Sequence, residues 1–407
     1  MRRRAATLLA ACAALGAGAA CGGSDESEAT PAPNRPPEVT LSASRDAVLV
    51  TGAATISVQA EDPDGDKLTF SWKASLGQLD ASEGEGPIAW TAPAERGTAT
   101  IGVSVEDGRG GKAEASVDVG ILSWVQSSAA GTVEPGLPFQ SVSFAGPDDG
   151  WIVGGAEGNL NTPHIYHYAG GSWTKETQDE QGHLTTVVAL APDNVWTAGG
   201  GGLAYHWDGA NWKKFTLPGG CVHGLAFLGA VDGWATPAEG QPYMRRYSGG
   251  AVTAWKQYPA PQSSGIHAVS MIGPDSGFAV GNKGMLLGFD GTKWSKQDSP
   301  VSGSLYGVHM VGPDAGWIVG STGAVLRWDG TAWAEVEAPQ NPGLQAVHAI
   351  GADFAVAVGK QGRILLWNGQ SFAELPSPVS SILRSVFLVS ETDGWIVGDN
   401  STILHLE

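Results

Sequence analysis

From Pro36 onward apolar and polar residues alternate with a period of two, the spacing of a strand with one buried face. Before residue 122 six runs carry it: VTLSAS, AATISVQA, LTFSWKAS, PIAWTAP, ATIGVSVED and AEASVDVGI, each bounded by turn residues. Short alternating strands at this density predict a β-sandwich over residues 36–121. Trp72 shares one face with Phe70 and Ala74 and is expected between the two sheets.

Beyond residue 122 the alternation is organised by a longer repeat. The phrases FQSVSFAGPDDGWIVGG, LTTVVALAPDNVWTAGG, VHGLAFLGAVDGWATPA, IHAVSMIGPDSGFAVGN, LYGVHMVGPDAGWIVGS, LQAVHAIGADFAVAVGK and LRSVFLVSETDGWIVGD are seven copies of one unit. Aligned on the Val/Ala-Gly step they place Trp151, Trp196, Trp234, Phe278, Trp317, Val356 and Trp395 at one position, spaced 45, 38, 44, 39, 39 and 39 residues apart. That is the length of a four-stranded propeller blade. Strand a is the SVSF-type run and strand b the GWIVG run. Strand c ends in an aromatic, and a tight Asp-Gly, Asn-Gly or Gly-Gly turn leads to strand d with Trp173, Trp212, Trp255, Trp294, Trp333 or Phe372. The seventh copy stops at ILHLE, before its strand d, while ILSWVQ at residues 121–126 supplies a strand with Trp124 ahead of the first copy. The pattern predicts a seven-bladed β-propeller over 122–407, closed by this N-terminal strand, which also covers an otherwise exposed edge. The fold class is all-β, a sandwich followed by a propeller.

Two resemblances follow from these motifs. AEDPDGDKLTFSW with VSVEDGRGGKAEASVDV resembles the polycystic-kidney-disease-type (PKD) and cadherin-like immunoglobulin folds of bacterial surface proteins. The W-A/I-V-G-x-x-G core with its W-D-G-x-x-W tail resembles the repeats of the photosystem II assembly-factor family and the wider sialidase-type (BNR) propellers. Those assembly factors are non-catalytic rings that bind protein, so the resemblance implies a scaffold or binding role. A sialidase-like glycosidase is the remote alternative. By resemblance it needs an arginine cluster, whereas Arg245, Arg246, Arg327, Arg363 and Arg384 are spread over different blades and depths.

Charge and the N-terminal segment narrow the setting. A formal net charge of −18 disfavours phosphate backbones, so nucleic acid is not an expected partner. Arg2, Arg3 and Arg4, the apolar TLLAACAALGAGAA and then Cys21 have the layout of a secretory signal. Residues 1–21 resemble a bacterial lipoprotein signal. Cys21 is the expected lipidated residue, with Cys12 as the alternative, and 22–35 is a polar tether. Loss of the three arginines takes the mature charge to −21. The expectation is an exported monomer held to the cell envelope, outer membrane or cell surface by a lipid anchor. Cys221, alone in the folded region, is expected to be buried and inert.

Candidate chemistry falls in two places. Asp62, Asp64 and Asp66 alternate along one loop of the sandwich and Asp107 lies in another, a set of hard oxygen donors that suits Ca²⁺; the same Asp-Gly pairs also serve as turns. In the propeller, the residues two before the strand-a Val or Leu are Gln140, Thr185, His223, His267, Tyr306, Gln345 and Arg384. All hydrogen-bond, and all fall at the mouth of the central channel, a candidate ligand-binding crown on the face of variable loops. His167, His206, Arg246, Arg327 and His405, one residue before the strand-c aromatic, are expected to hydrogen-bond between blades. His309 and His348 match across adjacent blades but lack a carboxylate for a metal site. The expected function is a non-catalytic scaffold or protein-binding propeller of the envelope. The alternative is an adhesin-like protein that binds a surface glycan.

Overall fold

The structure is a computed structural model that describes residues 32–130, 133–155, 162–176, 182–262, 264–339 and 342–407. The segment expected to be a secretory signal, with Cys12 and Cys21, and most of the expected tether lie outside the described residues. No helix among them is long and apolar enough to cross a membrane.

Eight strands build the N-terminal unit: β1 (Glu38–Ala43), β2 (Ala47–Leu49), β3 (Ala53–Glu61), β4 (Thr69–Ala74), β5 (Gln78–Leu79), β6 (Ile88–Thr91), β7 (Gly97–Glu106) and β8 (Lys112–Leu122). They form two four-stranded sheets, β1-β3-β6-β5 and β2-β8-β7-β4. Inward residues at period two, among them Ile56, Ile101, Val103 and Val105, fill the space between. Trp72 is buried there as its alternation predicts, and its indole N–H donates to the Gly84 carbonyl at 2.9 Å. Trp90, on the facing sheet, is fully buried beside it in the same core and donates to Leu76 O at 2.8 Å.

The repeat region folds into four-stranded antiparallel sheets, seven among the described residues. In the first, strand a is Phe139–Gly146, b is Asp149–Gly154, c is His164–Ala169 and d is Ser172–Glu176. The seventh has a (Leu383–Ser390), b (Asp393–Gly398) and c (Thr402–Leu406), and its fourth strand is β9 (Trp124–Gln126). The register is Leu404 opposite Gln126, His405 opposite Val125 and Leu406 opposite Trp124. Backbone bonds between Ser123 and Glu407 at 2.8 and 3.1 Å extend the ladder.

Neighbouring sheets meet through the recurring aromatics. The strand-b ring of each unit sets its face against the strand-d ring of the next: Trp151 on Trp212 at 5.1 Å, Trp234 on Trp294 at 5.3 Å, Phe278 on Trp333 at 5.2 Å. Trp395 of the last unit meets Trp173 of the first in the same edge-to-face way at 5.4 Å. Where Val356 replaces the aromatic, Trp124 shares its apolar cluster. The glycine before the strand-b tryptophan has a packing cause. At Gly150 a Cβ would collide with the Phe144 ring across the ladder.

Candidate functional site

In the third unit Leu225 pairs with Ala235, whereas in the other six strand a opens on the apolar residue that pairs with the last glycine of strand b, as Ile266 pairs with Gly281. The next residue is skipped by the ladder: register shifts fall between Phe139 and Ser141, Leu184 and Thr186, Ile266 and Ala268, Leu305 and Gly307, Leu344 and Ala346, and Leu383 and Ser385. The skipped residues are Gln140, Thr185, His267, Tyr306, Gln345 and Arg384, six of the seven crown positions. A bulge re-aims its extra side chain, and here it turns that side chain into the channel. The bulge also explains the motif's terminal glycine, because at Gly281 a Cβ would run into the Gly265 carbonyl oxygen. His223 is the exception. It lies ahead of its strand, which starts at Leu225, and its own N–H donates to Thr236 Oγ1 at 2.9 Å.

All seven residues line one cavity of about 380 Å³ whose wall is the seven inner strands. His223 is exposed and the rest are half-buried. Around one arc the rings follow one another, His223 to His267 at 5.7 Å and His267 to Tyr306 at 5.3 Å between centroids. Asn282 fixes His267. Its amide nitrogen donates to Ser264 O at 2.8 Å, so its oxygen accepts from His267 Nε2–H at 2.8 Å and Nδ1 is left as the acceptor. Arg384 is clamped by Asp399 through two bonds of 2.5 and 3.1 Å. Thr185 Oγ1 donates to Val222 O and to Ala198 O. Asn282 and Asp399 were not singled out from the sequence. Their signal is a shared place, directly after the terminal glycine of strand b.

Deeper in the channel the inner strands are joined by side chains that accept from the neighbouring strand's backbone. Ser143 Oγ takes the Ala189 N–H at 3.0 Å, Ser270 Oγ that of Met310 at 3.0 Å, and Ser385 Oγ of the last unit that of Val142 of the first at 3.3 Å. His309 and His348 hold the places of Ser143 and Ser270, stacked at 4.2 Å, with Nδ1 accepting from Ala349 at 3.0 Å and from Leu388 at 3.3 Å. Burial pushes His309 down to about 4 and His348 well below 6.5. With each Nδ1 accepting a backbone N–H, the neutral ring carries its proton on Nε2 and neither nitrogen presents a free lone pair, so the pair acts as a seam between strands.

Comparison with solved structures names the architecture. YCF48 bound to a D1 peptide is 16% identical, with a TM-score of 0.54 over 70% of this chain and 96% of that one. YCF48 from Cyanidioschyzon merolae is 15% identical, with 0.55 over 70% and 98%. The WD40 β-propeller domain of Doa1 is 12% identical, with 0.57 over 70% and 96%. The repeat region is a β-propeller. At these identities the likeness carries the fold alone. Residues 34–120 match the bacterial Ig domain family. No curated protein matches the chain.

Within the propeller the strand-c polar residues differ from expectation. His167, His206, Arg246 and His405 bond within their own blade, to Asp149 at 3.2 Å, Asn194 at 2.9 Å, Asp232 at 3.2 Å and Asp393 at 3.0 Å. The reason is register. Each stands opposite the strand-b tryptophan and covers it, as His167 stacks on Trp151 at 3.9 Å, so its polar end meets the residue two before that tryptophan. Arg327 has no such acid and lies 5.4 Å from the centres of Trp317 and Trp367. Cys221 also departs from expectation: it is half-buried, and its sulfur accepts the Gly201 N–H at 3.5 Å.

In the sandwich, Asp62, Asp64 and Asp66 bring carboxylate oxygens within 4.8 Å of one another, and Asp107 is not in that group. Asp62 Oδ1 accepts the N–H groups of Asp64 and Asp66 at 2.9 and 3.0 Å, while the buried Oδ2 has no partner. Arg35 bonds Asp64 at 2.7 Å and Arg109 bonds Asp66 at 3.0 Å. Asp107 accepts from Asn34 at 2.6 Å, the main cause of its lowered pKa, and from the N–H groups of its own turn. A calcium ion held by the three carboxylates would compete with the Arg35 and Arg109 guanidinium groups for Asp64 and Asp66.

Proposed function

We propose that the chain is a closed seven-bladed propeller that binds a protein segment at its crowned mouth, without catalysis, carried on a PKD- or cadherin-like Ig domain. The observation that carries this reading is the convergence of one residue from every blade, six of them on bulges, on one cavity. Junctions of the last blade with β9 and with the first blade support closure. YCF48, a propeller of similar fold, has been solved with a D1 peptide bound, which supports a peptide-type ligand. A binding role without catalysis is favoured by the arginines. Arg245 is fully buried and donates to Pro218, Thr236 and Gly220 carbonyls, Arg246 and Arg363 pair with Asp232 and Glu374, and Arg384 pairs with Asp399. Among the described residues no arginine cluster of the sialidase kind is left to hold a substrate carboxylate. In this proposal the protein is exported and lipid-anchored at Cys21, on the strength of its N-terminal segment.

The runner-up is a surface glycan. The arc of His223, His267 and Tyr306 favours it, since sugar rings stack on such faces. A photo-crosslinking residue in place of Tyr306, in intact producing cells, separates the two. A discrete protein adduct that is lost on Arg384→Ala or Gln345→Ala supports the protein reading. Saturable binding on a glycan array, abolished by His267→Ala and Tyr306→Ala, replaces it with the glycan reading.

A further inference from the structure

The sandwich and the propeller share one core. Val48 and Leu49 on β2 and Ile121 on β8 belong to the same buried cluster as Phe354, Leu388 and Ile396 of the sixth and seventh blades. Across the boundary Arg45 pairs with Glu391 and Arg96 with Glu407. Exposed ion pairs like these contribute little. The continuous apolar contact is what resists bending, since rotating one unit against the other would expose it to water.

The side of the propeller involved is defined by strand direction. Each strand a runs from the crown toward the a–b turn, and β9 enters from that same turn face, because Trp124 pairs with Leu406 at the end of strand c. Glu391 lies in an a–b turn and Asn368 in a c–d turn, and both line a cavity of about 310 Å³ against Arg45 and β2. The sandwich therefore sits on the face of short regular turns. Asn34 and Arg35 are at its far end, bonded to Asp107 and Asp64 beside the turn into β8. From there β8 runs 11 residues to the propeller, about 35 Å at 3.3 Å per residue.

We propose that the sandwich is a fixed plinth built into the turn face, so that the crowned mouth points away from the chain's N-terminal end. It is thereby open to a partner that arrives from beyond the protein. This rests on the binding reading only for the purpose of the mouth. The orientation stands on the shared core and on strand direction.

Pulsed electron-spin distance measurements on the full chain test it, with spin-labelled unnatural residues so that the native cysteines stay. One label replaces exposed Lys112 at the far end of the sandwich. The second replaces Ser302, exposed on the crown side of the fifth blade, or Thr331, exposed in its c–d turn. The expected result is two narrow distributions, with Ser302 farther than Thr331 by roughly 15–20 Å, the height of a five- or six-residue strand. Broad distributions would overturn the plinth, and Ser302 nearer than Thr331 would overturn the orientation. Neither result depends on a ligand, so a failed search for a partner and a failed orientation are distinguishable.

Discussion

Replacing Trp124 by Ala probes the strand that completes the last blade. Trp124 is 3% exposed, in the cluster that joins Val356, Leu404 and Leu406 to the sandwich. Truncating a buried tryptophan costs about 3–5 kcal/mol, because transfer free energy is lost and the cavity only partly collapses. For a cooperative unit of this size about 2 °C is lost per kcal/mol, so the midpoint should fall by roughly 6–10 °C. Differential scanning calorimetry of the full chain reads it directly. An internal control comes from Trp212, which holds the same place in the second blade but is only half-buried. Trp212→Ala should cost about half as much, since less apolar surface leaves water there. If Trp124→Ala melts within 2 °C of the parent, or if Trp212→Ala matches it, the completing role assigned to β9 is wrong.

Three further outcomes follow from the geometry. His309 and His348 are held neutral by burial, so the unfolded chain binds protons first as pH falls below about 6.5. Stability should decline from there, the His309 part levelling off below about 4 after at most about 3.5 kcal/mol at 1.4 kcal/mol per pH unit; urea melts at pH 7, 5.5 and 4.5 should show a slope that His309→Gln reduces, and an unchanged slope refutes the seam. Gly281→Ala should destabilise by about 2–4 kcal/mol, since the obstructing atom is a backbone carbonyl, whereas Gly273→Ala, with open space around it, should stay within about 0.5 kcal/mol. Calcium titrated calorimetrically into the chain should bind at least ten-fold more tightly in an Arg35→Gln, Arg109→Gln variant, because Asp64 and Asp66 are then released; equal affinity in both would refute competition by the arginines.

The crown shows how far residue order reaches. Counting back from the strand-a valine or leucine selected seven positions, and all seven line one cavity. The count worked because the repeat keeps register. The cause, a bulge at six of them, is not a residue type and leaves only an indirect trace in the terminal glycine. The strand-c histidines went the other way. Their depth was legible, but their partners depended on which strand-b residue stands opposite, and that is a cross-strand fact. The same holds for Asn282 and Asp399, ordinary polar residues after a glycine until the bulge brings His267 and Arg384 to them.

By itself the sequence determined the period, the four strands of each repeat, the alternation of the sandwich and the spare strand at Trp124, because burial periodicity and turn chemistry are local. Tertiary structure alone decided which polar groups meet: the arginines on the aspartate cluster, the imidazole seam across inner strands, and the sandwich packed on the turn face. Those contacts join residues tens to hundreds of positions apart, such as Arg45 and Glu391. Side-chain directions that pair only after the sheets have twisted and packed leave no periodic signature along the chain.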